Sequence, residues 1–396
     1  MIISKRLIFG FLMLLSTALY AQTEENLPWP LGMQARLDSM MRDPLLDYTQ
    51  VGVMVWDLTD DRPLFASEHK LLLRPASTMK LLTAITALDY LGGDYQFTTS
   101  LYYKGEQTGR TLQGNLYCVG GMDPAFSRED LASFAEALQK QGIDTISGNI
   151  LADISMKDTL KWGEGWCWDD KNPTLSPLLV DRKANFTAQL VSALKEKGIV
   201  LRDITLGQGC LPDEAVLVCE RKHSIDYILQ RMMKDSDNLY AEAMYYQIAA
   251  RESGKKSGKA LHAQRQQKAL MERAGLNSSL YRLADGSGLS LYNYLSAECE
   301  VRILRYVWQH KTIYKHLLPS LPIAGEDGTL KKRMKDTPAA GNIQAKTGTV
   351  TGVSALAGYC SAPNGHRLCF AIINQGIQQA SDGRDYQDRI CSILCE

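Results

Sequence analysis

The sequence predicts an α+β protein in which one domain, built from both ends of the chain, is interrupted by a smaller mixed α/β unit. Three observations carry this reading. Near the N-terminal end, a short β-branched apolar run is followed by a strongly apolar helical pattern. From about Tyr95 to Val218 the texture changes to short alternating segments around one helix. Helical spacing then returns near Tyr227 to Ala250, and the chain from Ile343 onward reads as strand, strand, helix. The expected limits are 22–94 and 219–396 for the main domain and 95–218 for the insert.

The elements follow in order. Lys5 and Arg6, the apolar run Leu7 to Leu15 and the small residues Ser16 to Ala21 read as an export signal over residues 1–21, cleaved near Ala21. The apolar run is too short to span a membrane comfortably. Leu31 to Met41 carries apolar residues at helical spacing. Val51 to Leu58 is a strand pattern, and Thr59-Asp-Asp-Arg-Pro63 is a turn. From Ser77 the residues Leu81, Leu82, Ile85, Leu88 and Leu91 recur at three and four, until Gly92-Gly93 stops the helix. In the insert, Thr111 to Val119 and Gly148 to Asp153 look like strands, and Arg128 to Gln141 like a helix. Near the C-terminus, Asn364-Gly365 is a two-residue hairpin signal. Centring the turn there sets Cys360 opposite Cys369 at a spacing that suits a disulfide.

Composition excludes some classes of function. Lys+Arg and Asp+Glu both number 44 in the 396 residues, so the net charge is zero and no nucleic-acid partner is indicated. Nine cysteines occur without a CxxC pair or a Cys/His cluster of zinc spacing, and the six histidines are scattered. No metal and no cofactor are expected.

Acyl transfer without histidine needs a nucleophile, a base, a proton relay and an anion-binding edge. Ser-x-x-Lys can supply the first two, because residues three apart share a helix face. Four copies occur: Ser67/Lys70, Ser77/Lys80, Ser192/Lys195 and Ser253/Lys256. Only Ser77 opens a strongly apolar helix, just after Pro75. Burial in that helix would lower the pKa of Lys80. Ser77 alone fits a plain helix cap equally well. A second element is Ser236-Asp237-Asn238, whose hydroxyl can pass a proton and whose amide can bind peptide groups. A third is Lys346-Thr347-Gly348-Thr349 on a strand pattern. There Gly348 leaves room for a substrate backbone to pair with the strand edge, and Lys346, Thr347 and Thr349 can bind a carboxylate. Taken singly, each of these is a common polar turn or helix start.

In this order and context, the three elements resemble those of penicillin-binding proteins and serine β-lactamases. The flanks resemble, more narrowly, the D-Ala-D-Ala carboxypeptidase/endopeptidase family of the penicillin-binding protein 4 type, peptidase family S13. These flanks are Arg74-Pro-Ala-Ser-Thr-Met-Lys80, Gly120-Gly-Met-Asp-Pro124, Gly165-Trp-Cys-Trp-Asp-Asp170, Asp285-Gly-Ser-Gly-Leu-Ser290 and Gly325-Glu-Asp-Gly-Thr-Leu330. The resemblance implies a transpeptidase-like fold, an antiparallel sheet with helices, carrying the inserted unit. It implies that Ser77 attacks the carbonyl between two D-Ala residues and that neutral Lys80 takes its proton, with Lys346 keeping Lys80 neutral. Ser236 would relay a proton to the leaving D-Ala. Asn238 would hold the peptide, and Lys346, Thr347 and Thr349 its terminal carboxylate. The N–H groups of Ser77 and Thr349 would form the oxyanion hole.

The implied substrates are peptidoglycan stem peptides ending in D-Ala-D-Ala, with endopeptidase action also open, and β-lactams are implied ligands. The implied location is the periplasm. A β-lactamase and a catalytically inactive peptidoglycan-binding protein stay as alternatives. One departure stands out. Val180-Asp-Arg-Lys-Ala-Asn185 runs almost directly into the helical pattern Ala188 to Lys197, where the family usually carries a long β-rich stretch. The insert is therefore expected to be one compact unit without a nested domain, leaning over Ser77. Asp153 best matches the acidic residue that the family's insert places near the substrate side chain, where it would attract the amine of a diamino acid.

Overall fold

The computed structural model describes residues 27–396 apart from Lys171 and Lys255, so the expected export signal lies outside the described residues. Among the described residues, no helix is long and apolar enough to cross a membrane.

The strand pattern at Val51 becomes β1 (Gln50–Asp57), buried along its length except at Gln50. Such a run belongs in the middle of a sheet covered on both faces. It is flanked by β2 (Arg62–Ser67) and by β10 (Arg367–Gln375), in the antiparallel order β2-β1-β10-β9-β8, where β8 is Gln344–Val350 and β9 is Val353–Ser361. The strand pattern from Ile343 to Tyr359, expected as one strand, is broken by a turn at Thr351-Gly352, where Gly352 takes φ +77°. The main sheet therefore ends in three strands before its last helix. One face packs on α1 (Leu31–Met40) and α10 (Ala380–Cys395). The other packs on a helical layer of α2 (Met79–Leu91), α5 (Ile225–Lys234), α6 (Asn238–Glu252), α7 (Ala260–Arg273), α8 (Ala297–Gln309) and α9 (Lys311–Ser320).

The insert forms a second sheet, β6-β5-β4-β3-β7. Its strands are β3 (Gln96–Thr108), β4 (Thr111–Val119), β5 (Thr145–Asp153), β6 (Val200–Gln208) and β7 (Val216–Ser224). β3 is antiparallel to both neighbours. β4, β5 and β6 run parallel, joined by the crossover helices α3 (Arg128–Lys140) and α4 (Phe186–Glu196). One apolar cluster, including Phe126, Phe134 and Phe186, fills the space between sheet and helices. β7 carries the sheet to Ser224, past the expected limit at residue 218.

The β9–β10 hairpin forms, but its register corrects the expected cysteine pair. Gly365 donates to the Ala362 carbonyl at 2.9 Å, and Ala362 donates to His366 at 2.9 Å. The loop is thus Pro363-Asn364-Gly365, a type I turn closed by Gly365 at φ +85°. Pro363 takes the position that tolerates its fixed φ and missing N–H. Three loop residues instead of two slide the pairing by one, so Cys360 faces Leu368 and Cys369 faces Tyr359. A one-residue slip sends side chains to opposite faces. Cys360 points to the α10 layer with Cys391, while the Cys369 thiol lies 3.8 Å from the Val301 carbonyl of α8. All nine cysteines are free.

Candidate active site

Ser77 sits in a tight turn, Ala76–Thr78, that feeds α2. Every residue from Met79 to Leu88 is buried, so the helix is held on all sides and its first turn cannot drift. Ala76 adopts φ +49°, a left-handed conformation that a non-glycine residue keeps only where its surroundings impose it. Lys80, fully buried one turn on, makes three hydrogen bonds. Its Nζ donates to Ser77 Oγ at 2.9 Å, to Asn238 Oδ1 at 2.7 Å and to the Ser287 carbonyl at 2.8 Å.

Ser236-Asp237-Asn238 is the link between α5 and α6. Asp237 caps α6, accepting from Leu239 N at 3.0 Å. Ser236 has φ +59°. Its hydroxyl accepts from Lys346 Nζ at 2.8 Å, and Lys346, fully buried on β8, also donates to the Thr347 carbonyl at 2.7 Å. The structure therefore brings together Ser77, Lys80, Ser236, Asn238 and Lys346, from three separate stretches of chain.

Burial holds Lys80 down at about 8, against the pull of the Asp285, Glu242 and Asp237 carboxylates. Burial, and after it the charge on Lys80, holds Lys346 well below the ordinary lysine range. Burial comes first for both lysines. Carboxylates surround Lys80, whereas among the described residues Lys346 is bonded to a hydroxyl and to its own strand. A protonated Lys80 cannot accept the proton of Ser77. The rate of acylation by a fluorescent penicillin should accordingly rise with pH and level off above about 8. Stopped-flow labelling from about pH 6 to about 10 checks this, and a flat profile contradicts it. The rising limb belongs to the buried charge cluster as a set.

β8 is an edge strand, paired along its length with β9 and bridged at its first residue, Gln344, to Ile323. Along it, Thr347 Oγ1 donates to Thr329 Oγ1 at 2.8 Å, and Thr349 is exposed. Gly348 serves closeness rather than openness. A Cβ there would lie 2.6 Å from the Pro75 carbonyl and 3.1 Å from Ser77 N. The space expected for a substrate backbone on that side is occupied by the Ser77 turn. Gly348→Ala should push that turn off β8 and slow acylation on the order of 10²-fold, since displacements of about 1 Å at a reacting group cost that much. An unchanged acylation rate constant would refute the close-packing argument.

Three buried acids went unassigned in the sequence. Glu242, on α6, accepts from Gly286 N at 3.1 Å and Ser287 N at 2.8 Å. Asp285 accepts from Gly288 N at 2.8 Å, Ser290 N at 2.7 Å and Trp166 Nε1 at 2.8 Å. Together they shape the loop whose Ser287 carbonyl receives Lys80. Burial, and after it the charge on Asp285, raises Glu242 to about 8. Burial also raises Glu300, which meets the Thr78 hydroxyl behind the Ser77 turn, to about 8. The Asp-Gly-Ser-Gly-Leu-Ser run was the available signal for this loop.

Asp153 stands apart from the cluster. It ends β5 and is 6% exposed, and its two oxygens accept from Ser155 N at 2.9 Å and Leu211 N at 2.7 Å. It lines a hollow with Tyr95, Ser100, Lys222 and Arg251, not the one beside Ser236 and Asn238. Its hydrogen bonds are those of a turn cap.

A five-stranded antiparallel sheet backed by helices, with a serine–lysine pair at the mouth of the buried helix, defines the penicillin-binding class of serine enzymes. The chain belongs to the D-Ala-D-Ala carboxypeptidase 3 (S13) family, whose profile matches residues 33–182 and 178–396. It is 26% identical over 437 residues to a D-alanyl-D-alanine carboxypeptidase of Actinomadura sp. (strain R39), covering 86% of this chain and 80% of that one. It is 24% identical to the carboxypeptidase DacB of Haemophilus influenzae, covering 85% of this chain and 88% of that one. The crystal structure of penicillin-binding protein 4 (dacB) from Haemophilus influenzae shares the fold, at 22% identity and a TM-score of 0.80, over 89% of this chain and 98% of that one. A predatory peptidoglycan endopeptidase from Bdellovibrio bacteriovorus has the same fold at 16% identity and a TM-score of 0.57, over 87% of this chain and 92% of that one. The chain is thus a serine-type D-Ala-D-Ala carboxypeptidase by family.

Proposed function

We propose that this carboxypeptidase acts through an acyl-enzyme on Ser77, releasing the terminal D-Ala of peptidoglycan stem peptides. The observation that carries the reading is the pair of serine–lysine contacts, Ser77–Lys80 at 2.9 Å and Ser236–Lys346 at 2.8 Å, in one buried cluster. Ser77 Oγ attacks the D-Ala-D-Ala carbonyl while Lys80 Nζ takes its proton. The C–N bond breaks as a proton reaches the leaving amine through Ser236, whose hydroxyl is held by Lys346. Asn238 and the free edge of β8 align the peptide, and Thr347 and Thr349 receive its carboxylate. Water then attacks the ester and regenerates Ser77. β-Lactams enter the same path, their ring carbonyl taking the place of the peptide carbonyl. The substrate and the charged-then-apolar N-terminal sequence support an exported, periplasmic location.

The test is a fluorescent penicillin followed by peptide mapping. The adduct should fall on the peptide holding Ser77, in a ratio near one label per chain, and D-Ala should be released from a synthetic D-Ala-D-Ala peptide. Label on any other serine, or rapid turnover of the penicillin without D-Ala release, would overturn the reading in favour of another nucleophile or of a β-lactamase.

A further inference from the structure

Among the described residues of the insert, Arg182 hydrogen-bonds to the Ser-Asp-Asn link. Val180 donates to the Lys183 carbonyl at 3.0 Å and Lys183 to the Val180 carbonyl at 2.9 Å, closing a two-residue turn on Asp181 and Arg182. Both turn residues lie at positive φ, 45° and 68°. Turns of this hand favour Asn-Gly, and an arginine in the second place is strained unless something outside the turn holds it. Here something does. The Arg182 guanidinium grips Asp237 with both arms, Nη1 to Oδ2 at 2.6 Å and Nη2 to Oδ1 at 3.1 Å. Arg231 Nε lies 3.4 Å from the same Oδ2. Both guanidinium groups also lie over the Tyr240 ring, at 5.9 Å and 5.2 Å.

Asp237 stands between Ser236 and Asn238. Its carboxylate already caps α6, so its position sets where both neighbours begin. On the far side of the link, Lys234 Nζ is tied to Asp327 at 2.5 Å and to the Leu321 carbonyl at 2.6 Å. The left-handed Ser236 is thus stretched between two anchors, one from the main domain and one from the insert.

We infer that Arg182 is a positioning residue for the acyl-transfer site, through which the insert holds Asp237 and thereby sets Ser236 against Lys346 and Asn238 against Lys80. This rests on the reading of Ser77, Lys80, Ser236 and Lys346 as that site. The planar fork matters as well as the charge, because a lysine can neutralise Asp237 but cannot hold both of its oxygens. Charge enters separately. The Asp237 carboxylate favours the protonated form of Lys80. Unpaired from Arg182, with only Arg231 remaining beside it, Asp237 would hold the Lys80 proton to higher pH.

The experiment compares Arg182→Ala and Arg182→Lys in the full chain by the rate of acylation with fluorescent penicillin across pH, by final label per chain, and by thermal melting. Arg182→Ala should acylate about 10- to 100-fold more slowly yet reach full labelling, with the rising limb of the profile moved upward. Arg182→Lys should return the limb towards its original place while recovering the rate only in part. A lowered melting temperature with rate and limb unchanged would reduce Arg182 to a structural bridge and overturn the inference. So would a lysine variant that restores the full rate. Should the alanine variant not fold, the lysine variant alone decides. Label that persists in Ser77→Ala would instead refute the site itself, whatever the Arg182 variants do.

Discussion

Ser77→Ala should leave a folded protein that takes no penicillin label and releases D-Ala from a D-Ala-D-Ala peptide on the order of 10⁴–10⁶-fold more slowly, as loss of the nucleophile does in other serine hydrolases. The size of the effect follows from covalency: without Oγ there is no acyl-enzyme, so the two-step path is closed rather than slowed. What stays is binding along β8 and whatever donors face the carbonyl. The change should cost little stability. Ser77 is half-buried, and among the described residues the hydrogen bond to its Oγ comes from Lys80, which keeps Asn238 and the Ser287 carbonyl. Thermal melting alongside the labelling separates loss of chemistry from loss of fold. Undiminished D-Ala release by the purified variant would remove Ser77 from the mechanism.

Much of the architecture could be read from local patterns because the decisive elements are local. The apolar residues after Ser77 recur at three and four, which reads as a helix apolar enough to be buried, and α2 is one. The apolar, β-branched run at Val51 announced β1 as a strand in the same way. Asn364-Gly365 also promised a hairpin, and there the local signal was sufficient for the fold but not for the register. Pro363 decides between a two- and a three-residue loop, and that choice moved Cys369 from Cys360 to Tyr359.

The three polar motifs were legible as types because acyl transfer demands particular groups. Their supporting acids were not. Glu242 lies within a helix of buried residues and bonds to a loop 44 and 45 residues downstream. The apolar residues around Glu242 point to burial, but nothing near it in the chain points to the loop it bonds. Asp153 shows the converse: an Asp at a strand end is equally a ligand for substrate and a cap for the next turn. Only the positions of Ser155 N and Leu211 N, the latter 58 residues away, reveal which bonds it makes.

The carboxylates that surround Lys80 were likewise beyond the sequence, since Glu242 and Asp285 come from distant stretches of chain, and they bear on the base. Lys80→Met keeps much of the volume and the apolar stem of the side chain while removing the amine. It should cut acylation by about 10²- to 10⁴-fold, the range that a positioned base contributes. The rising limb near pH 8 should vanish with it, because burial holds Lys80 itself at about 8. Stability should move the other way or hardly at all. Burying an amine that wants its proton costs free energy in the folded chain, and the substitution removes that cost while leaving Asn238 Oδ1 and the Ser287 carbonyl short of a donor. The two terms are of similar size, about 1–3 kcal/mol each, and oppose one another. Acylation of Lys80→Met measured across the same pH range, with melting recorded in parallel, therefore tests the base and its environment together. A variant that keeps a limb near pH 8 would show that another buried group, Glu242 or Glu300, each raised to about 8, sets the profile.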